Sequence, residues 1–485
     1  MTAPPSAKAA LELGAQPRYL PAVRLSTLLF TIVLAAWALP HAPVNADELD
    51  RYLQQQRDVY QIPAIVVGVI RGGQLVDSRV GGLANIELNV SATPQNVFEV
   101  GSISKQFTAY AILMLYEQGK VELNARLGRY LPGLPEKWAA PTLQQLMSHT
   151  SGLPDFEEAF DYGVYRETPS DDEFLKRLLT LPIEVAPGMK WNYSNTNYWL
   201  LARVIEQVSG VPYAQFMQER IFGPLGMAST RTALPSQILM GRAAGYRLVS
   251  DRLENREAIQ PHTGRGLGDV ATTVGDMARW EQEQRSPRLL KSETARLAQQ
   301  PVALSDGSVT EYGYGWFIDK TFPAAALRHD GQTAGFVADY LRIPERDLAV
   351  VVLTNLYGGP SIAAHVARLV EPSLRGPPLV ESASGDPRQL QRVRELFSTA
   401  ARARTEWREE WFTGDLWRGI KASLPDIEAA YRRRGSMRSV TSVGPDGVQD
   451  AVKPTYRIVF EKMTRLSTFE FDEHGKIKSI RSEDE

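Results

Sequence analysis

Two β-branched runs near opposite ends of one long stretch constrain this chain most. Residues 64–70 read AIVVGVI and residues 349–355 read AVVVLTN. Runs of that length and composition, bounded by turn residues, predict strands. The first is followed by Arg71-Gly72-Gly73-Gln74 and then a second run over 75–80, the pattern of a hairpin. The second is preceded by an apolar run over 336–343 and the link Pro344-Glu345-Arg346-Asp347, short enough for antiparallel neighbours. One more strand is expected over 312–318. Between the early and late strands, over about 125–265, helical patterns alternate with Pro/Gly turns, as at 142–148 and 198–208. This order predicts an α+β fold whose antiparallel sheet, flanked by helices, is completed late in the chain. The mostly helical middle is then an inserted subdomain forming one wall of a cleft.

Near residue 375 the character changes. Arg375-Gly376-Pro377-Pro378 and Ser382-Ala383-Ser384-Gly385-Asp386-Pro387 predict a linker over 376–388. Helical segments rich in Arg and Glu follow to about 434, then alternating strands. Tyr456, Ile458 and Phe460 share one strand face, and Phe469 and Phe471 another, with turn signals at 444–447 and at His474-Gly475. Residues 389–485 therefore read as a small α+β accessory domain after a main domain over 47–375. No internal repeat is visible.

At the other end, Arg18 and Arg24 precede an apolar run over 25–39, followed by Pro40 and the small-residue site Val44-Asn45-Ala46. That is the layout of a signal peptide over 1–46, and the run is short for a spanning helix of about 20 residues. The expectation is an exported protein, periplasmic or secreted, off the membrane once the signal is cleaved; retention of the segment as an anchor is the alternative. The chain has no cysteine, which excludes disulfides, thiol catalysis and zinc-thiolate sites. Its formal net charge of −2 gives no electrostatic case for nucleic acid. No metalloprotease, Walker A or dinucleotide motif is present, so neither metal nor cofactor is expected. The expected partner is a small-molecule ester, amide or peptide substrate.

Three short pieces carry chemistry. In Val100-Gly101-Ser102-Ile103-Ser104-Lys105, Ser102 stands three residues before Lys105 at the start of a helical pattern. One helical turn puts both on one face, so Lys105 can reach the Ser102 hydroxyl. Ser102 as a plain N-cap is the competing reading. In Trp191-Asn192-Tyr193-Ser194-Asn195, Tyr193 offers a phenol and Asn195 an amide that can hold a carbonyl or a lysine. In Arg328-His329-Asp330-Gly331-Gln332, before the strand at 336, Gly331 would let a ligand approach the strand and the next N–H face the site.

The three pieces in this order resemble the serine β-lactamase and penicillin-binding-protein superfamily, particularly the class C β-lactamase-related branch with its esterases and D-amino-acid peptidases. The stretches Leu146-Met147-Ser148-His149-Thr150-Ser151-Gly152-Leu153-Pro154, 264–280 and Tyr312-Gly313-Tyr314-Gly315-Trp316 support it. The resemblance covers about 47–375 and implies a β-lactamase/transpeptidase-like fold. It implies Ser102 as acyl-accepting nucleophile, with Lys105 and Tyr193 sharing the proton work and lysine favouring the charged phenol. Asn195 would hold the substrate carbonyl or Lys105, and the oxyanion would lie between the backbone N–H groups of Ser102 and Gln332. The departure is His329-Asp330-Gly331, where the superfamily often has Lys-Thr-Gly. A carboxylate at Asp330 disfavours anionic substrates unless it is paired with Arg328. The expected function is an exported serine hydrolase acting on esters or small amides and peptides. The alternatives are a D,D-peptidase or β-lactamase acting on wall peptides or penicillins, and a non-catalytic binder or sensor that keeps the fold.

Overall fold

The strand Ala64–Arg71 has no polar side chain before its last residue and is buried along nearly its whole length. The computed structural model describes residues 46–160, 162–183, 185–232, 237–256, 261–382, 386–400, 407–422, 424–445 and 453–485. The signal segment expected over 1–46 lies, but for Ala46, outside them, as do positions 446 and 447 of the expected turn. A central strand must bury both faces, and Ala64–Arg71 does so between Gln74–Asn85 and Leu348–Thr354. The two-residue Gly72-Gly73 turn closes the hairpin as expected.

Seven strands form the main sheet, in the spatial order Val90–Ser91, Gln74–Asn85, Ala64–Arg71, Leu348–Thr354, Phe336–Ile343, Ala326–Thr333 and Phe317–Asp319. Every pairing is antiparallel, with Ile65 opposite Thr354 and Arg342 opposite Ala349. The late strands therefore complete a sheet begun by the early ones, and the fold is α+β. The strand expected over 312–318 is shorter, Phe317–Asp319. Gly315 turns there with φ +77 and packs against the backbone of Lys105 and Gln106, which leaves no room for a ladder.

The two sheet faces carry separate apolar clusters. Val66, Ala338, Tyr340 and Val351 face the helices Ser104–Glu117, Asn195–Ser209 and Val274–Arg285, through Phe107, Leu200 and Trp280 among others. Ile65, Val67, Leu341 and Val350 face the helices Ala46–Tyr60 and Ala363–Val370. The helix Ser104–Glu117 ends at Gln118, and Gly119 follows at φ +68, the left-handed conformation that closes many helices.

The C-terminal strands form a sheet of their own: Leu379–Glu381, Met437–Pro445, Thr455–Phe460, Thr464–Phe471 and Ile477–Asp484. Tyr456, Ile458 and Phe460 are buried and alternate with partly exposed neighbours, as their period of two requires. Leu379–Glu381, within the stretch read as linker, pairs with Met437–Pro445. Val393, Phe397, Tyr456, Ile458 and Phe469 lie in the same apolar cluster as Leu49, Ile65 and Val67. No helix among the described residues is long and apolar enough to cross a membrane.

Candidate active site

Ser102 lies in the short 3-10 turn Gly101–Ile103 that opens the helix Ser104–Glu117. Lys105, one turn along, is wholly buried, and its Nζ is 2.9 Å from each of Ser102 Oγ, Asn195 Oδ1 and the Leu267 carbonyl oxygen. An ammonium has three donors, and these acceptors use all of them. On losing one proton, Nζ gains a lone pair that can accept the Ser102 O–H instead. Burial lowers the Lys105 pKa from its usual range to about 7, against the pull of the Asp155, Glu157, Asp269 and Asp330 carboxylates. The lysine is thus poised between its two states at neutral pH.

Asn195 is the first residue of the helix Asn195–Ser209. Its side-chain Nδ2 donates to Glu157 Oε2 at 2.9 Å, and its backbone N–H donates to Asp155 Oδ1 at 3.0 Å. Glu157 also accepts the Tyr165 hydroxyl at 2.8 Å. With Nδ2 committed to a carboxylate, the Asn195 carbonyl oxygen must face Lys105. Burial raises the Asp155 and Asp269 carboxyls to about 7.

Tyr193 presents its ring to Lys105, with Nζ 4.9 Å from the ring centre and 5.6 Å from that of Tyr198. The expectation that lysine favours a charged phenol is corrected here. Burial pushes the Tyr193 phenol well above its usual range, and interaction with the Ser102 hydroxyl offsets this only in part. Tyr193 is a neutral phenol beside the serine.

His329 is buried, at 2% exposure. Its Nδ1 lies 2.6 Å from the Asp330 carbonyl oxygen and its Nε2 lies 2.9 Å from the Tyr312 hydroxyl. A carbonyl only accepts, so Nδ1 carries the proton and Nε2 accepts from Tyr312. Burial lowers the His329 pKa to about 4, so the position often held by a charged lysine is neutral here.

Asp330 is placed differently from the expectation. It stands opposite Asp339, whose carboxylate accepts the Ala363 N–H, whereas His329 and Gly331 are on the other face. Arg328 pairs with Asp319 at 3.3 Å rather than with Asp330. Gly331 is also required for another reason. A Cβ there would lie 2.0 Å from the Val100 carbonyl oxygen and 2.6 Å from the Ser102 nitrogen. One on Gly101, whose φ is +51, would lie 2.5 Å from the Gln332 nitrogen. The two backbones touch, which brings the Ser102 and Gln332 amides to one crossing. The close approach that Gly331 permits is to the protein's own turn, not to a ligand. The Gln332 side chain turns away and accepts the Gly358 N–H at 3.2 Å.

The structure therefore gathers Ser102, Lys105, Tyr193, Asn195, His329 and Gly331 into one cluster, with the backbone of Gln332. Sequence reasoning assigned no role to Glu157, the Leu267 carbonyl, His149 or Tyr312. Each stands in or beside a stretch that carried the resemblance, and that position was the available signal.

A family model described as Beta-lactamase matches residues 49–373. Penicillin-binding protein 4* of Bacillus subtilis (strain 168) is 28% identical over 324 residues, 63% of this chain and 71% of that protein. A D-aminopeptidase of Gluconobacter oxydans (strain 621H) is 28% identical over 305 residues, covering 62% of this chain and 57% of the relative. The D-aminopeptidase of Brucella canis is 27% identical over 331 residues, 66% of this chain and 62% of its own. The match thus spans less than two thirds of either D-aminopeptidase. Among solved structures, the octameric penicillin-binding protein homologue from Pyrococcus abyssi is similar with a TM-score of 0.62 at 20% identity, over 90% of this chain and 96% of that one. That likeness is one of fold.

Proposed function

The chain belongs to the Beta-lactamase family, and on that premise we propose an exported serine hydrolase that forms an acyl-enzyme on Ser102 and acts on esters or on small amides and peptides. One observation carries the reading: a buried lysine with a pKa of about 7, hydrogen-bonded at 2.9 Å to a serine at the mouth of a helix.

In this reading neutral Lys105 takes the Ser102 proton as Oγ attacks the substrate carbonyl. The oxyanion is received by the backbone N–H groups of Ser102 and Gln332. The leaving group departs with a proton supplied through Tyr193 or Lys105. Water then attacks the acyl-enzyme, giving one proton to neutral Lys105, which passes it to the departing Ser102 Oγ as the acid is released, so both groups return to their starting state. Asn195 holds Lys105 in place, and His329 with Tyr312 forms an uncharged wall.

The D-aminopeptidase and penicillin-binding names of the relatives support the amide and peptide side of this proposal. Asp155, Glu157, Asp269 and Asp330 pull on Lys105 as carboxylates, Asp155 and Asp269 only in part at neutral pH because burial raises both to about 7, and His329 adds no positive charge. That balance favours neutral or cationic substrates over penicillins, whose carboxylate would meet like charge. We further propose that 389–485 is an accessory domain and that 1–46 directs export. Covalent labelling by a fluorophosphonate, read by peptide mass spectrometry, tests the nucleophile. A non-catalytic binder would leave Ser102 unmodified.

A further inference from the structure

His149 lies in the turn after the helix Leu143–Met147, and the reaction outlined above gives it no part. It is wholly buried and adopts φ +58, a left-handed conformation that a histidine takes at some cost. Its contacts converge on one segment. The His149 carbonyl accepts the Asn192 N–H at 2.8 Å. Its Nδ1 accepts the Ser194 N–H at 3.1 Å and lies 3.2 Å from Asn197 Nδ2. Its ring packs on that of Tyr193, centres 4.2 Å apart and planes tilted by 32°. One residue thus holds the backbone on either side of Tyr193, through its own carbonyl at Asn192 and its ring at Ser194, and the ring covers that of Tyr193.

The protonation state follows from the partners. A backbone N–H can only donate, so Nδ1 carries no proton. Asn197 Oδ1 accepts the Ser151 hydroxyl at 2.7 Å, which turns its Nδ2 toward His149 as a second donor. The neutral ring therefore holds its proton on Nε2, and an imidazolium would set an N–H against two N–H groups. Burial lowers the His149 pKa, with Lys105 and His329 adding to the effect.

We infer that His149 is a positioning residue for acylation: its Nδ1 lone pair holds the 192–197 segment so that Tyr193 and Asn195 meet Ser102 and Lys105. The inference rests on the proposed function. A displacement of about 1 Å at reacting groups can cost about a hundredfold in rate. It should therefore appear in kcat, while KM for a small ester hardly moves.

The test compares His149→Gly and His149→Asn, both of which accept φ above zero. Glycine removes the acceptor, and asparagine restores an oxygen near the place of Nδ1. Turnover of a short-chain p-nitrophenyl ester is measured with thermal unfolding of each variant. His149→Gly should lose about a hundredfold in kcat with KM within about threefold, and His149→Asn should recover at least tenfold of that loss. The inference is overturned if folded His149→Gly keeps kcat within threefold of wild type. It is equally overturned if His149→Asn, unfolding at the wild-type temperature, loses as much activity as Tyr193→Phe. If His149→Gly does not fold, the asparagine arm decides. Wild-type protein that fluorophosphonate does not label at Ser102 would instead remove the functional reading beneath both.

Discussion

Lys105 Nζ and Asn195 Oδ1 lie 2.9 Å apart, and the other end of the same amide is fixed by Glu157. An amide in that position orients the lysine without adding charge to it. Acylation should therefore follow the neutral fraction of Lys105, rising about tenfold per pH unit below about 7 and levelling above it. Asn195→Asp would set a carboxylate against Nζ, favour the ammonium and move this limb up by about one unit or more. The pH profile of kcat/KM for a neutral ester checks both; a limb that stays in place or moves down argues against Lys105 as the base.

Tyr193 is expected to act as a neutral phenol. Tyr193→Phe should fold and slow acylation by about two to four orders of magnitude, the range of a positioned acid–base group. Ultraviolet titration of wild type against this variant should show no tyrosinate at position 193 below pH 9, since burial raises the phenol. Full activity in the variant removes Tyr193 from the proton path, and an early tyrosinate contradicts the neutral form.

Substrate charge should follow the neutral wall made by His329. Wild-type kcat/KM for a short-chain p-nitrophenyl ester should exceed that for a chromogenic cephalosporin bearing a carboxylate. His329→Lys should narrow the ratio by about tenfold, within the roughly 1–3 kcal/mol of a charged hydrogen bond. Asp330→Thr should narrow it less than His329→Lys, because Asp330 stands opposite Asp339 on the other face of the strand and acts on Lys105 and His329 only through space. A wild-type preference for the cephalosporin would sink this reading.

The chain ending at Arg375 should keep the catalytic cluster, since Ser102, Lys105 and their hydrogen-bond partners all precede it. It should nonetheless lose stability, because Val393, Phe397, Tyr456, Ile458 and Phe469 share an apolar cluster with Leu49, Ile65 and Val67. Burial of one such side chain is worth about 1.5–3 kcal/mol, so a fall in Tm of about 5 °C or more is expected, with Ser102 still labelled. An unchanged Tm would mean that the shared cluster adds nothing, and loss of labelling would make 389–485 part of the active site.

Much of this was legible in the sequence where the cause is local. The Gly72-Gly73 hairpin and the spacing of Ser102 and Lys105 follow from short-range geometry, and the structure keeps both. The strand Ala326–Thr333 was not legible in the same way, so the placement of Asp330 on the face opposite His329 came only with the structure. What stayed hidden depends on turns distant in sequence meeting in space. Neither Glu157 behind Asn195 nor the Leu267 carbonyl on Lys105 has a local signature. The strand expected over 312–318 was shortened by a close approach of Gly315 to the nucleophile helix, a contact no periodicity encodes.

In the proposed function Ser102 is a nucleophile activated by Lys105. The most direct test of this is peptide mass spectrometry after a fluorophosphonate pulse, on wild type, Ser102→Ala and Lys105→Ala. Wild type should carry a single adduct on Ser102 and Ser102→Ala none, and labelling should be slowed by about two to four orders of magnitude in Lys105→Ala. An adduct on another residue, such as Ser361, or full-rate labelling without Lys105, would contradict that reading.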